Sequence, residues 1–356
     1  MSLSLPIRGR GAAHNPPNRF EPIDVVPDPD CDLDPSEQPA PTTVYLRDAS
    51  RSIIASNDSP DVMIEASINP YRGCEHGCIY CFARPTHEYF GLSAGLDFET
   101  RIFVKERAPE LLRAELMSRR WDVRAISISG VTDCYQPVER KLQITRRCLQ
   151  VLAEFGNPCG IITKNHLITR DVDVLRELAG RDLVGTILSV TTLDADLHRV
   201  LEPRASTPAR RLAAIEALAN AGVPVGVMVA PVIPGLTDVE MPAILRAAAD
   251  AGASFAGYVP LRLPFALSAM FEDWLEKHFP QRKQKVLNQI RQIRGGKLND
   301  GNFGSRMRGE GPLAEQLGTM FEMAKKRAGI TGAFPELSKS HFRRPPRENE
   351  QMGLFG

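Results

Sequence analysis

A chain of 356 residues with 44 basic and 43 acidic side chains is nearly neutral, so its total charge points to no particular partner. Its length suits one large domain with extensions or two modest ones. No apolar run reaches the roughly 18 residues of a membrane span; the longest, 223–233, is interrupted by Pro224 and Pro231 and reads as a buried strand.

Residues 1–45 hold nine prolines and few large apolar side chains, the composition of an extended or disordered arm. The N-terminus lacks the apolar stretch of a signal peptide. Seven cysteines without framework spacing fit reduced thiols and a cytoplasmic protein. A first strand is expected over 62–68.

The stretch 67–89, SINPYRGCEHGCIYCFARPTHEY, then places Cys74, Cys78 and Cys81 within eight residues. Converging three thiolates takes a tight backbone, and Gly73 and Gly77 supply the freedom. Four-cysteine ferredoxin spacings do not match. Two readings remain: an iron–sulfur cluster with one open coordination position, or a closed Cys3His zinc site completed by His76 or His87.

Downstream the pattern alternates. Helices are expected over 108–119, 139–155, 171–178, 208–221 and 238–251, and strands over 124–129, 160–163, 184–190, 225–230 and 254–259. Thr207, Pro208 and Gly222 mark the start and stop of the fourth helix. Strands separated by helices imply parallel βαβ units. Six are too few for a closed eight-stranded barrel, and in parallel barrels the chemistry sits at the C-terminal strand ends.

With Tyr80 as the aromatic, C-x-x-x-C-x-Y-C resembles the signature of the radical S-adenosylmethionine (SAM) superfamily. The resemblance implies an α/β fold, a partial (β/α)6 barrel, with Cys74, Cys78 and Cys81 on a [4Fe–4S] cluster. It also implies SAM on the open iron, cleaved to a 5′-deoxyadenosyl radical, and a low-potential electron donor of flavodoxin or ferredoxin type. Within the superfamily the chain is similar to the spore photoproduct lyase-like, DNA repair photolyase-related branch. The shared features are Thr132-Asp133, Thr163-Lys164, Ser189, Glu202-Pro203 with Ser206, and Val229-Ala230-Pro231, over about 68–260.

Carried over position by position, Asp133 would hold the SAM amino group, or simply form a turn. Lys164 would neutralise its carboxylate, Ser189 and Thr191 would meet ribose hydroxyls, and Glu202 belongs to the same set. The segment 226–235 and Tyr258 would flank adenine. Phe82 replaces the lyase's tyrosine after the third cysteine, and Gly130 stands where its hydrogen-donor cysteine would be. Cys134, four residues on, is the candidate replacement donor, and Tyr80 a second candidate catalytic residue. Cys148 reads as core, Cys159 precedes a strand at the end away from the site, and Cys31 lies in the arm.

The expected organisation is an arm over 1–45, a core over 46–265, a helical basic extension over 266–337 and a mobile tail over 338–356. Helices are expected over 281–293 and 313–328. Residues 281–356 hold 15 basic and 7 acidic side chains, compatible with a nucleic-acid partner and equally with a solvated surface. The glycine-rich linker between these helices carries Arg294, Lys297, Arg306 and Arg308 beside Phe303, which suits phosphate contact or a loop packed over the barrel. The rival function is a non-catalytic Cys3His zinc module that binds nucleic acid through this basic segment.

Overall fold

The structure is a computed structural model and describes residues 7–21, 41–61 and 65–346. β1 (Val44–Arg47) and β2 (Ile54–Ser56) lead to β3 (Ala66–Ile68) and β4 (Tyr71–Arg72), which opens into the cysteine loop. A 3-10 turn, Arg84–Phe90, then α1 (Leu96–Thr100) and β5 (Arg101–Val104) complete that excursion. Alternation follows through α2 (Ala108–Met117), β6 (Ile126–Ile128), α3 (Glu139–Leu142), α4 (Ile144–Phe155), β7 (Cys159–Thr163) and α5 (Val172–Ala179). It continues through β8 (Val184–Ser189), α6 (Ala195–Leu201), α7 (Pro208–Asn220), β9 (Val225–Val232), α8 (Met241–Asp250) and β10 (Phe255–Pro260). α9 (Leu267–His278), α10 (Pro280–Ile293) and α11 (Pro312–Arg327) form the C-terminal extension.

Seven strands make one sheet in the order β10-β9-β8-β7-β6-β3-β2. The six expected strands are all parallel, and β2 adds to β3 antiparallel. No pairing joins β10 to β2 among the described residues, so the barrel is partial and open along one side. A second sheet, β1-β5-β4, braces the cysteine loop. The strand expected over 62–68 is β3; residues 62–64 lie outside those described, as does Cys31.

Alternation divides the barrel strands into two faces. Ile126, Ile128, Ile161, Leu188, Val227 and Val229 point to the helices and join the main core with Cys148, Leu152, Leu175, Ile215 and Ile244. Cys159, the first residue of β7, belongs to the same face. The opposite face carries small or partly buried residues, in registered pairs such as Gly160 with Gly185, Ile162 with Ile187, Ser189 with Met228 and Met228 with Gly257.

Where the expected elements differ, a side chain explains it. The helix expected over 139–155 is two, because Gln143 turns left-handed (φ 52°) and the Glu139 carboxylate accepts from the Ile144 and Thr145 amides at 3.0 and 3.1 Å. Those amides are orphan donors at the start of α4. Thr207 does precede Pro208 at the start of α7, although its hydroxyl makes no capping bond. α6 and α9 were not expected at all.

Within the expected arm and tail, residues 7–21 and 338–346 are held against the rest of the chain. Residues 7–21 are strapped across the cysteine loop, with the amides of Gly11 and Ala12 donating to Glu99 at 3.0 and 2.8 Å. A Cβ on Gly11 would stand 1.7 Å from the Gly77 carbonyl oxygen, so only glycine passes there. Residues 1–6 and 22–40 lie outside the described structure. At the other end, Ser338 N donates to Asp182 O and Arg343 N to Phe155 O, both at 2.8 Å.

This C-terminal strap crosses the end of the barrel away from the cysteines. The Phe334 ring lies over Gly160 and Gly185 and edge-on to Phe255, at 5.5 Å between centroids. A Cβ on Gly185 would sit 2.6 Å from that ring. Gly185→Val should therefore unseat the strap, at about 1–3 kcal/mol of overpacking. Limited proteolysis should then cut within 330–344 in the variant and not in the wild type; equal protection would show that Phe334 does not hold the strap.

Candidate active site

The cysteine loop lies over the C-terminal ends of the barrel strands. It turns through Gly73 (φ 78°) and Gly77 (φ 67°), and the Cys74 amide donates to Phe98 O at 2.9 Å. Its inner support is Arg84, fully buried with Glu99. The Arg84 guanidinium donates to the carbonyls of Cys78 (2.9 Å), Gly77 (3.2 Å) and Gly95 (2.9 Å). Glu99 is thus shared between this arginine and the N-terminal strap.

From the barrel side, Thr132 Oγ1 donates to Gly73 O at 2.6 Å, and Gln136 Oε1 accepts from Glu75 N at 3.0 Å. Glu75, buried in turn, accepts from Val138 N at 2.8 Å and from Arg204 at 3.2 Å. The loops after β6 and β8 therefore grip the cysteine loop by its backbone and its acid.

All three cysteines are free, Cys74 and Cys78 buried and Cys81 partly exposed. Burial is the main cause that pushes each thiol up. Proximity adds to it: Cys78 and Cys81 both raise Cys74. Lys164 acts the other way on Cys78 and Cys81. Thiols held protonated by burial in one short loop form a donor set that a cationic centre would ionise. An iron cluster is such a centre.

Both ring nitrogens of His76 and one of His87 are engaged elsewhere, while His87 Nδ1 is buried without a hydrogen-bond partner. His76 is buried, with Nδ1 3.5 Å from Asp133 and Nε2 accepting from the Asn165 amide at 3.0 Å. His87 Nε2 bonds Arg101 O at 2.8 Å, and the ring lies under Gly73 beside Phe98. Among the described residues, no three His, Cys, Asp or Glu side chains gather closely enough to hold one metal ion.

Lys164 reaches the site from the end of β7. Its Nζ donates to Ala230 O at 3.0 Å, lies 3.9 Å from Glu202 and sits over the Tyr80 ring at 5.8 Å. An ammonium has three donors, and one bond leaves capacity for a ligand. Ser189 ends β8 on the interior face, and its carbonyl accepts from Arg211 at 3.0 Å.

The remaining expected contacts are buried in structural roles. Asp133 accepts from Tyr135 N, Thr163 Oγ1 and Lys164 N at 2.9, 2.7 and 2.8 Å, which ties the loops after β6 and β7 together beneath Cys74. Glu202 and Arg211 form a fully buried pair, and Glu202 also accepts from Tyr80 OH and from Thr191 Oγ1. Burial alone would raise the Glu202 pKa; Arg211 and Lys164 outweigh it and hold the carboxyl well below its ordinary range. Tyr80, Thr191 and Glu202 are therefore a single network under the cysteine loop, with the Tyr80 hydroxyl engaged rather than presented to a substrate.

Two expectations are corrected by which way a side chain points. Tyr258 faces outward beneath α11, its ring 4.7 Å from Phe321, because Gly257 and Val259 occupy the alternate, interior positions of β10. It does not flank the site. Cys134 is fully buried in the main core with Tyr71, Tyr135 and Cys148. Its carbonyl accepts from Thr145 of α4 at 2.7 Å. The loop turns the thiol towards the helices, so it is not placed as a hydrogen donor.

The sequence reading passed over Arg84, Glu99, Glu75, Gln136 and Arg211. Arg211 alone left a trace: it shares the apolar stripe of α7 with Ile215 and Leu218, where a charge needs a partner.

The family model for the radical SAM superfamily matches residues 68–248. The chain belongs to this superfamily. It is 38% identical over 217 residues to uncharacterised proteins of Mycobacterium bovis and Mycobacterium tuberculosis. That match covers 60% of this chain and 64% of the mycobacterial proteins, so just under two thirds of their length is spanned. An uncharacterised Methanocaldococcus jannaschii protein is 26% identical over 62% of this chain and 79% of its own.

Among solved structures, spore photoproduct lyase is similar with a TM-score of 0.58 and 16% identity, over 80% of this chain and 79% of the lyase. That lyase has also been solved with a dinucleoside spore photoproduct. The radical SAM core thus sits in the lyase's fold, and no helix of the described residues is long and apolar enough to cross a membrane.

Proposed function

We propose that this radical SAM chain is an enzyme in which Cys74, Cys78 and Cys81 hold a [4Fe–4S] cluster and Lys164 receives the carboxylate of SAM. The observation that carries the reading is a set of three free thiols in one short loop, with Lys164 beside it over the Tyr80 ring and with donors to spare. When bound, the cluster and SAM supply a one-electron cleavage that lets a hydrogen atom be taken from a substrate.

The chain's own residues hold that chemistry in place. Arg84 and Glu99 fix the loop carbonyls, Asp133 fixes the backbone that presents Lys164, and Glu202 with Arg211 fixes Tyr80. Ser189 and Ala230 stand at the C-terminal ends of β8 and β9, beside the cysteine loop. A low-potential flavodoxin or ferredoxin would deliver the electron. The substrate reading is nucleic acid, supported by the basic segment 281–356 and by the shared fold with a lyase solved with a dinucleoside photoproduct.

Lys164→Ala tests the SAM half. Losing a charge-assisted contact costs about 1.5–3 kcal/mol, so SAM affinity should fall roughly tenfold or more. Iron content and the spectrum of the reduced cluster without SAM should stay as in the wild type. A SAM titration followed by electron paramagnetic resonance reads both, and unchanged affinity would remove Lys164 from the site.

A further inference from the structure

Residues 294–310 leave the end of α10 and return to it, with Glu310 N donating to Ile293 O at 3.1 Å. This is an Ω-loop with its ends together. Its base is held by the largely buried Arg294, which donates to the carbonyls of Pro260 (2.9 Å) and Leu261 (2.8 Å) at the end of β10. Its tip is latched to the turn between β2 and β3: Gly304 N and Arg306 donate to Asp61, and Arg306 reaches Ser59. The loop therefore crosses the open side of the barrel from one edge strand to the other. Two of the four basic residues singled out in this linker are thus committed within the chain.

Arg262, just beyond β10, is not. Its guanidinium lies 5.0 Å from the centroid of Phe82, the residue after Cys81. Among the described residues it meets no carboxylate or carbonyl oxygen; its hydrogen bond goes to Met307 Sδ of the Ω-loop at 3.4 Å. A thioether is a weak acceptor, and a guanidinium has five donors. Burial and then the neighbouring Arg306 lower its pKa, against the opposing pull of Asp61, which is itself bonded to Arg306. Arginines and exposed aromatic rings interleave around it: Arg19 over Phe265 at 3.6 Å and Arg306 over Phe303 at 4.4 Å.

We propose that Arg262 is a substrate-binding residue that takes a phosphate of a single-stranded nucleic acid at the mouth of the barrel, beside the third cysteine. A guanidinium fork matches phosphate geometry, and interleaved aromatics and arginines suit unstacked bases and their backbone. The inference rests on the nucleic-acid reading above.

The test uses the full, cluster-loaded chain with a fluorescent oligothymidylate as probe, followed by anisotropy over a salt series. Arg262→Ala should weaken binding by about tenfold and lower the salt slope by roughly 0.7, one phosphate's share on a single strand. Arg262→Lys should keep the slope. In parallel, inorganic phosphate should move the Nε resonance of Arg262 in nitrogen-15 spectra. Equal binding by wild type and Arg262→Ala overturns the proposal and leaves the nucleic-acid reading standing. No binding by the wild type, with the phosphate response intact, overturns the nucleic-acid reading and keeps Arg262 as an anion receptor. An Nε resonance indifferent to phosphate overturns Arg262 outright.

Discussion

Cys78→Ala should abolish stable iron–sulfur binding. Two remaining thiolates hold a cubane poorly, and Cys78 is buried with Ile79 and Tyr80. Cys74→Ala and Cys81→Ala should do the same. Cys148→Ala and Cys159→Ala should leave the cluster intact, because both thiols lie in the helix-facing core. Cys134→Ala now joins this second group. Iron and sulfide analysis after anaerobic reconstitution, with the visible spectrum, separates the two sets. Full iron in Cys78→Ala would sink the assignment.

Arg211→Met should be the most damaging change away from the cysteines. It leaves Glu202 fully buried with its principal countercharge gone. Breaking one side of a buried pair costs about 3–5 kcal/mol. Glu202 also anchors Tyr80 and Thr191, so the damage should reach the cysteine loop. Replacing both partners, Arg211→Met with Glu202→Leu, should recover part of the stability, since no unpaired charge remains. Denaturant unfolding of the four proteins in the cycle measures it, and additive effects would show that the pair is not coupled.

The sign of its pH dependence follows from the depressed Glu202 pKa. The pair's contribution is complete above the ordinary value of 4.5 and is lost as acidification approaches the lower folded value. Wild type should therefore lose stability in acid more steeply than the double variant.

The barrel was legible because its strands and helices carry distinct periods: Ile126 and Ile128, or Val227 and Val229, alternate, while α4 and α7 repeat at helical spacing. The cysteines were legible because ligand spacing is local. β1, β4, β5 and α6 were not, since each is two to seven residues long and formed by pairing or packing with distant segments. The straps escaped for a related reason. A proline-rich arm reads as disorder until Glu99, far along the chain, takes up its amides.

Within the site, chemical type was readable and orientation was not. Lys164 ends its strand facing the cysteines, whereas Tyr258 and Cys134 face the helices. A shift of one residue along a strand reverses the face, and a loop such as 130–138 has no period to read at all. Asp133, Thr191 and Glu202 lie near the cysteine loop with their oxygens engaged by neighbouring groups, which no local pattern shows.

The most direct measurement is the product of SAM cleavage. Cluster-loaded protein, reduced anaerobically and mixed with SAM, should form 5′-deoxyadenosine, detected by liquid chromatography with mass spectrometry, and Cys78→Ala should form none. Protein that takes up iron and sulfide and yet leaves SAM intact, or that purifies colourless with stoichiometric zinc, would contradict the account.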